Sequence, residues 1–219
     1  MTKDPQESNT CIIFDWDDTL LPSYWLSKKG YLRKGYPPEI ISKSQDDIDL
    51  RKLMETACRC LDIAIKKSGN VYIVTNSDEG WVQLSTQRFI PDLMSFLKKI
   101  KIISAKTKFE NKFPGQPLLW KLYAMQEILF QFKNIKSIIS MGDSQLEREA
   151  VNAIGKVMPQ TYTKSIKFAD KPTCELLTQQ LELVISCNEV IISHCANLDL
   201  QLTITTPTLT LPTSTPIPS

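Results

Sequence analysis

Asp15-Trp16-Asp17-Asp18-Thr19 sets three carboxylates within four positions, directly after the apolar run Cys11-Ile12-Ile13-Phe14. A further carboxylate, Asp143, follows a second apolar run at 137–141 through Gly142, and Glu147 comes four residues later. Thr75 and Asn76 close a third apolar run, Val71-Tyr72-Ile73-Val74. Carboxylates brought to one place repel one another and are costly unless a cation neutralises them, and an all-oxygen ligand set suits Mg2+. With a single histidine, His194, His-based triads and multi-His metal sites are nearly excluded. Hydrolytic chemistry here has to run on carboxylates, Lys, Ser/Thr or Cys.

These residues need a scaffold that gathers them, and the apolar patterning describes one. The runs at 11–14, 71–74, 100–103 and 137–141 read as short buried strands, with a weaker one at 166–168. Between them, Leu50, Leu53, Met54, Ala57, Leu61, Ala64 and Ile65 recur at helical spacing after Ser44-Gln45-Asp46-Asp47, which resembles a capping box, and Ser68-Gly69-Asn70 stops that helix. Helices follow through Trp81, Val82 and Leu84, from Pro91 to Leu97, and from Pro117 along Leu118, Leu122, Met125, Leu129 and Phe132. Two more run through Leu146, Ala150 and Val151, and from Thr173 to about Val184. Strands alternating with helices predict an α/β fold: a doubly wound, mainly parallel Rossmann-like sheet of about five strands with helices on both faces. Ligands bind such sheets beyond the carboxyl ends of the strands, where Asp15, Thr75 and Asp143 fall. Lys121 lies on the helix before the fourth strand.

The chain of 219 residues suffices for one ordinary domain, with 42% hydrophobic and 23% charged residues. Twenty-six basic against 24 acidic side chains argue against dominant electrostatic binding to nucleic acid or an anionic membrane. No apolar run approaches the roughly 18–20 residues that span a bilayer, and residues 1–10, polar and of both charge signs, read as a flexible lead-in rather than a secretory signal. Six cysteines without a CxxC pair read as reduced core thiols of a cytoplasmic or nuclear protein. The domain is expected over 11–198, with a disordered Thr/Pro-rich tail over 199–219.

In their order and spacing these motifs resemble the haloacid dehalogenase superfamily of aspartate-nucleophile phosphohydrolases. Its first motif is an apolar strand followed by DxDx[TV], here CIIF then DWDDT. Its second is an apolar strand ending in Ser or Thr, here VYIV then Thr75. Its third is a lysine upstream of the last strand, and its fourth an apolar strand leading to an acidic pair, here SIISMGDSQLE. The resemblance covers about 11–170. It implies Mg2+-dependent phosphomonoester hydrolysis with Asp15 as nucleophile, forming an aspartyl-phosphate, and Asp17 as general acid and base. It assigns the metal to the Asp15 carboxylate, the Asp17 backbone carbonyl and Asp143, with Glu147 acting through water beside Ser144. The family more often has Asp where Glu147 stands. Thr75, Asn76 and Lys121 are implied on the substrate phosphate, with backbone N–H groups near Trp16 and Asn76 completing the cradle.

Plainer roles compete with these. Asp15 and Asp17 taken alone also fit a solvated turn, and Thr75 also suits the cap of the next helix. Lys121 borders the buried face of its helix, a common place for a snorkelling lysine, and Lys106, Lys108 and Lys112 are rivals for its role. Residues 20–43 and 104–116 are both too short for a separate cap domain, so the site is expected to be open, with little or no cap. In the superfamily that the chain resembles, members with minimal caps often act on macromolecules, so the resemblance implies a phosphoprotein or another bulky phosphomonoester. Small phosphorylated metabolites stay open as well, because Trp16, Tyr24, Trp25, Tyr31 and Tyr36 could form an aromatic flap, with Trp16 against the leaving group. Phosphotransfer to another acceptor, as in a phosphomutase, and a phospho-ligand-binding module without turnover are the alternatives.

Overall fold

The computed structural model describes residues 9–33 and 44–204. Six strands form one all-parallel sheet in the order β3-β2-β1-β4-β5-β6, with β1 at Thr10–Phe14, β2 at Val71–Thr75, β3 at Lys101–Ser104, β4 at Ser137–Gly142, β5 at Tyr162–Lys167 and β6 at Leu198–Gln201. This is the doubly wound α/β arrangement.

Alternation along the central strands builds a core on each face. In β1, Ile12 and Phe14 enter one core while Cys11 and Ile13 enter the other. β2 repeats this with Val71 and Ile73 against Tyr72 and Val74. Helices α2 (Gln45–Ser68), α3 (Trp81–Phe89), α4 (Met94–Leu97) and α8 (Cys174–Ser193) close the first face; α5 (Ala105–Phe109), α6 (Pro117–Leu129) and α7 (Gln145–Val157) close the second. Each fully buried Ile, Leu or Phe contributes about 1.5–3 kcal/mol. Ser44 caps α2 by accepting the Asp47 N–H, and Gly69 ends it at φ 69°, a left-handed position that suits glycine.

Several elements run further than their sequence signals. The final helix continues to Ser193, because Val184 and Ile191 carry its buried face past the expected stop. The sixth strand, Leu198–Gln201, lies where the tail was expected to begin, held by pairing to β5 and by an Arg148–Asp199 ion pair. β5 starts at Tyr162, and 104–116, to which no element was assigned, contains α5. Residues 1–8 and 205–219, the bulk of the two expected flexible ends, lie outside the described residues, as do Tyr36 and the rest of 34–43.

Among the described residues, the only helix between β1 and α2 is the six-residue α1 (Ser23–Lys28), and no separate domain is inserted. No described helix is long and apolar enough to cross a membrane. All six cysteines are free.

Candidate functional site

The chain leaves β1 toward β2 and β3, then crosses back to β4 on the other side, so the carboxyl ends of β1 and β4 form the switch point of the sheet, where such folds bind ligands. The Asp15 N–H donates to the Met141 carbonyl at 2.8 Å, which carries the pairing of the two strands to the point where Asp15 and Asp143 emerge. A tight turn follows. The Trp16 carbonyl accepts the N–H groups of Thr19, Leu20 and Leu21, Asp18 sits at φ 56°, and its N–H donates to Leu21. The turn points Asp17 and Asp18 back toward α1, where the Tyr24 N–H donates to Asp18 at 2.8 Å.

Carboxylate oxygens of Asp15, Asp143 and Glu147 lie within 4.8 Å of one another. Lys121 serves two of them. Its Nζ is 2.6 Å from Asp15 Oδ1 and 2.8 Å from Glu147 Oε1, and it also donates to the Val74 carbonyl at 2.7 Å. Lys121 is only 1% exposed. The rivals are engaged elsewhere: Lys106 with Asp78, Lys108 with Glu127, and Lys112 over the rings of Phe113 and Tyr123.

Glu147 belongs to the start of α7. Its Oε2 accepts from the Ser144 N–H at 3.1 Å and from Ser144 Oγ at 2.5 Å, while Ser144 Oγ accepts from Leu146. Gly142 makes room for it, since a Cβ there would lie 2.5 Å from Glu147 Cγ. Lys167 donates to the Asp143 carbonyl at 2.6 Å and steadies that residue's backbone.

Three carboxylates share one lysine, and their proton affinities register it. Burial pushes Asp15 up to about 7 against the pull of Lys121, with Glu147 and Asp17 adding repulsion. Burial followed by Asp15, Glu147 and Asp18 pushes Asp143 up to about 8. Burial disfavours the charged forms of both Glu147 and Lys121, but Lys121 overrides it at Glu147, which is held below its ordinary range, and Asp15, followed by Glu147, overrides it at Lys121, which is held above its own. The donor set is all oxygen and carries an excess of negative charge, which fits a hard divalent cation.

A test follows from the linkage. The acid positions of Asp15 and Asp143 are raised on folding, so their contribution to stability is fully present below about pH 4. It is lost as pH rises through about 7 to 8. Protein in chelator is expected to lose melting temperature across that window, and Mg2+ to restore it mainly at the upper end. A stabilisation by Mg2+ that does not grow with pH contradicts the cation site.

Asp17 lies apart from this cluster. Its Oδ1 accepts from Ser23 Oγ at 2.5 Å and Trp81 Nε1 at 2.8 Å, and its Oδ2 accepts from Ser77 Oγ at 2.6 Å. The side chain is thus clamped by three segments. None of Ser23, Ser77 and Trp81 stood out in the sequence as partners of Asp17. Thr75, 2% exposed, accepts the Ser77 N–H at 3.0 Å and so shapes the turn after β2. Asn76 donates to the Pro117 carbonyl at 3.3 Å, and its buried Oδ1 has no partner among the described residues.

The expected flap is corrected in one respect. Trp16 is wholly buried and donates to Ser85 at 3.0 Å, so it faces the core and not a leaving group. Trp25 and Tyr31 lean together with ring centroids 6.0 Å apart, and the Tyr31 hydroxyl donates to Asp46. Compared with protein-family models, with curated proteins and with solved structures, the chain gives no match.

Proposed function

We propose that the protein hydrolyses phosphomonoesters with the help of a divalent cation, Mg2+ by its ligand set, through an aspartyl-phosphate on Asp15. The observation that supports this best is the buried group of Asp15, Asp143 and Glu147 around Lys121, set at the switch point between β1 and β4. Asp15 and Asp143, with the Asp17 carbonyl, are the groups to hold the cation, which when bound supplies positive charge for the phosphoryl oxygens.

In the first step an Asp15 oxygen forms a bond to phosphorus while the bond from phosphorus to the leaving oxygen breaks, and Asp17 hands that oxygen a proton. In the second, Asp17 takes a proton from water as the water oxygen attacks phosphorus. The bond from phosphorus to Asp15 then breaks, releasing phosphate and restoring the carboxylate. Lys121 holds Asp15 in place and offsets phosphoryl charge, with Thr75 and Asn76 assigned to the phosphoryl oxygens. Six free cysteines suit a reducing compartment, cytoplasm or nucleus, and the lack of an inserted domain among the described residues suits a bulky ester such as a phosphoprotein.

The threefold engagement of Asp17 favours a second reading, a phospho-ligand-binding module in which that carboxylate is structural. A panel of phosphomonoesters, assayed with Mg2+ and with chelator and paired with fluoroberyllate trapping, separates the two. Mg2+-dependent phosphate release together with a fluoroberyllate adduct on Asp15 is expected. An adduct without turnover selects the module, phosphate moved to an added alcohol selects a phosphotransferase, and neither adduct nor turnover removes Asp15 as nucleophile.

A further inference from the structure

A hollow of about 580 Å³ opens beside the Asp17 clamp, and two of the clamp's members, Ser77 and Trp81, form its wall. That volume lies within the range of small-molecule sites. Part of its lining is apolar. Trp81 and Leu84 stand three residues apart on α3 and so share one helix face, and Leu84 is 60% exposed, a large apolar side chain left open beside polar neighbours. Asn76 also lines it. The rim carries Asp78 and Glu79 against a single Lys106, which is paired to Asp78 at 2.9 Å, so the rim keeps an excess of negative charge.

We infer that this hollow receives the leaving group, and that it selects phosphomonoesters whose leaving group has an aromatic or apolar body and no negative charge. The inference rests on the proposed role of Asp17. A group that protonates the leaving oxygen has to stand beside it, and the hollow is walled by two of the three residues that hold Asp17, Ser77 and Trp81. Trp81 and Leu84 cover the body, and the acidic rim repels a second anion.

The experiment compares O-phosphotyramine with 3-(4-phosphonooxyphenyl)propanoate, whose phenolic leaving groups are alike and whose far ends differ in charge. In parallel, binding of the matching 4-(2-aminoethyl)- and 4-(2-carboxyethyl)-benzylphosphonates is measured by calorimetry with Mg2+ present. The amine is expected to be favoured by about tenfold in both kcat/KM and affinity, and Leu84→Lys, a change at an exposed position, to erase or invert that preference. Equal or reversed preference in the unaltered protein overturns the inference, as does failure of both phosphonates to bind or an unchanged preference in the Leu84→Lys protein. Preferential binding of the amine that Leu84→Lys removes, with neither ester hydrolysed, upholds the subsite and overturns the phosphatase reading instead.

Discussion

Asp15→Asn is expected to reduce phosphomonoester turnover by on the order of 10⁴-fold or more while leaving the protein folded. An amide oxygen is a poor nucleophile toward phosphorus, so the covalent step is lost. The shape is kept, and the amide oxygen still accepts from Lys121. Asp15 is 8% exposed, and burial together with Glu147 and Asp17 makes its ionised form costly. Removing that charge relieves repulsion with Asp143 and Glu147 as well. Melting in chelator should therefore stay level or rise, whereas the stabilisation gained from Mg2+ should shrink. Steady-state kinetics and paired melts with Mg2+ and with chelator check both parts. A mutant keeping a tenth of wild-type turnover removes Asp15 from the role of nucleophile.

Lys121→Met carries the second large effect, and it falls on stability as well as on activity. Methionine fills much of the same space but leaves Asp15 and Glu147 without their cation. Breaking a buried ion pair by removing one partner costs about 3–5 kcal/mol. For a chain of this size that corresponds to a drop in melting temperature of roughly 6–20 °C in chelator. Mg2+ supplies replacement charge, so part of the loss should return on adding it. Lys108→Met is the control, because its pair with Glu127 lies at the surface, where such pairs contribute about 0–1 kcal/mol. If Lys121→Met melts within a degree of the wild type in chelator, Lys121 is not what holds the carboxylate group together.

Trp16 shows how far strand periodicity reaches. Ile12 and Phe14 face one core, and Trp16 continues that parity into the same core, while Cys11 and Ile13 face the other. The period of two, carried two residues beyond the strand, already argues against a leaving-group contact for Trp16. The sixth strand was hidden for another reason. At an edge, with Asp199, Leu200 and Gln201 exposed, Leu198–Gln201 has no apolar run to announce it and depends on pairing with β5.

Local order along the chain determined that strands alternate with helices, and hence that Asp15, Thr75 and Asp143 stand at strand ends on one rim of a parallel sheet. Those features follow from side-chain periodicity over a few residues and are legible in one dimension. Which lysine meets Asp15 was decided by tertiary structure, across 106 positions of chain, as were the links from Ser77 and Trp81 to Asp17, across 60 and 64. So was the fit of Glu147 over Gly142. Such meetings depend on strand register and on where each helix settles over the sheet. They are consequences of how the whole core closes, and no spacing rule within a single segment encodes them.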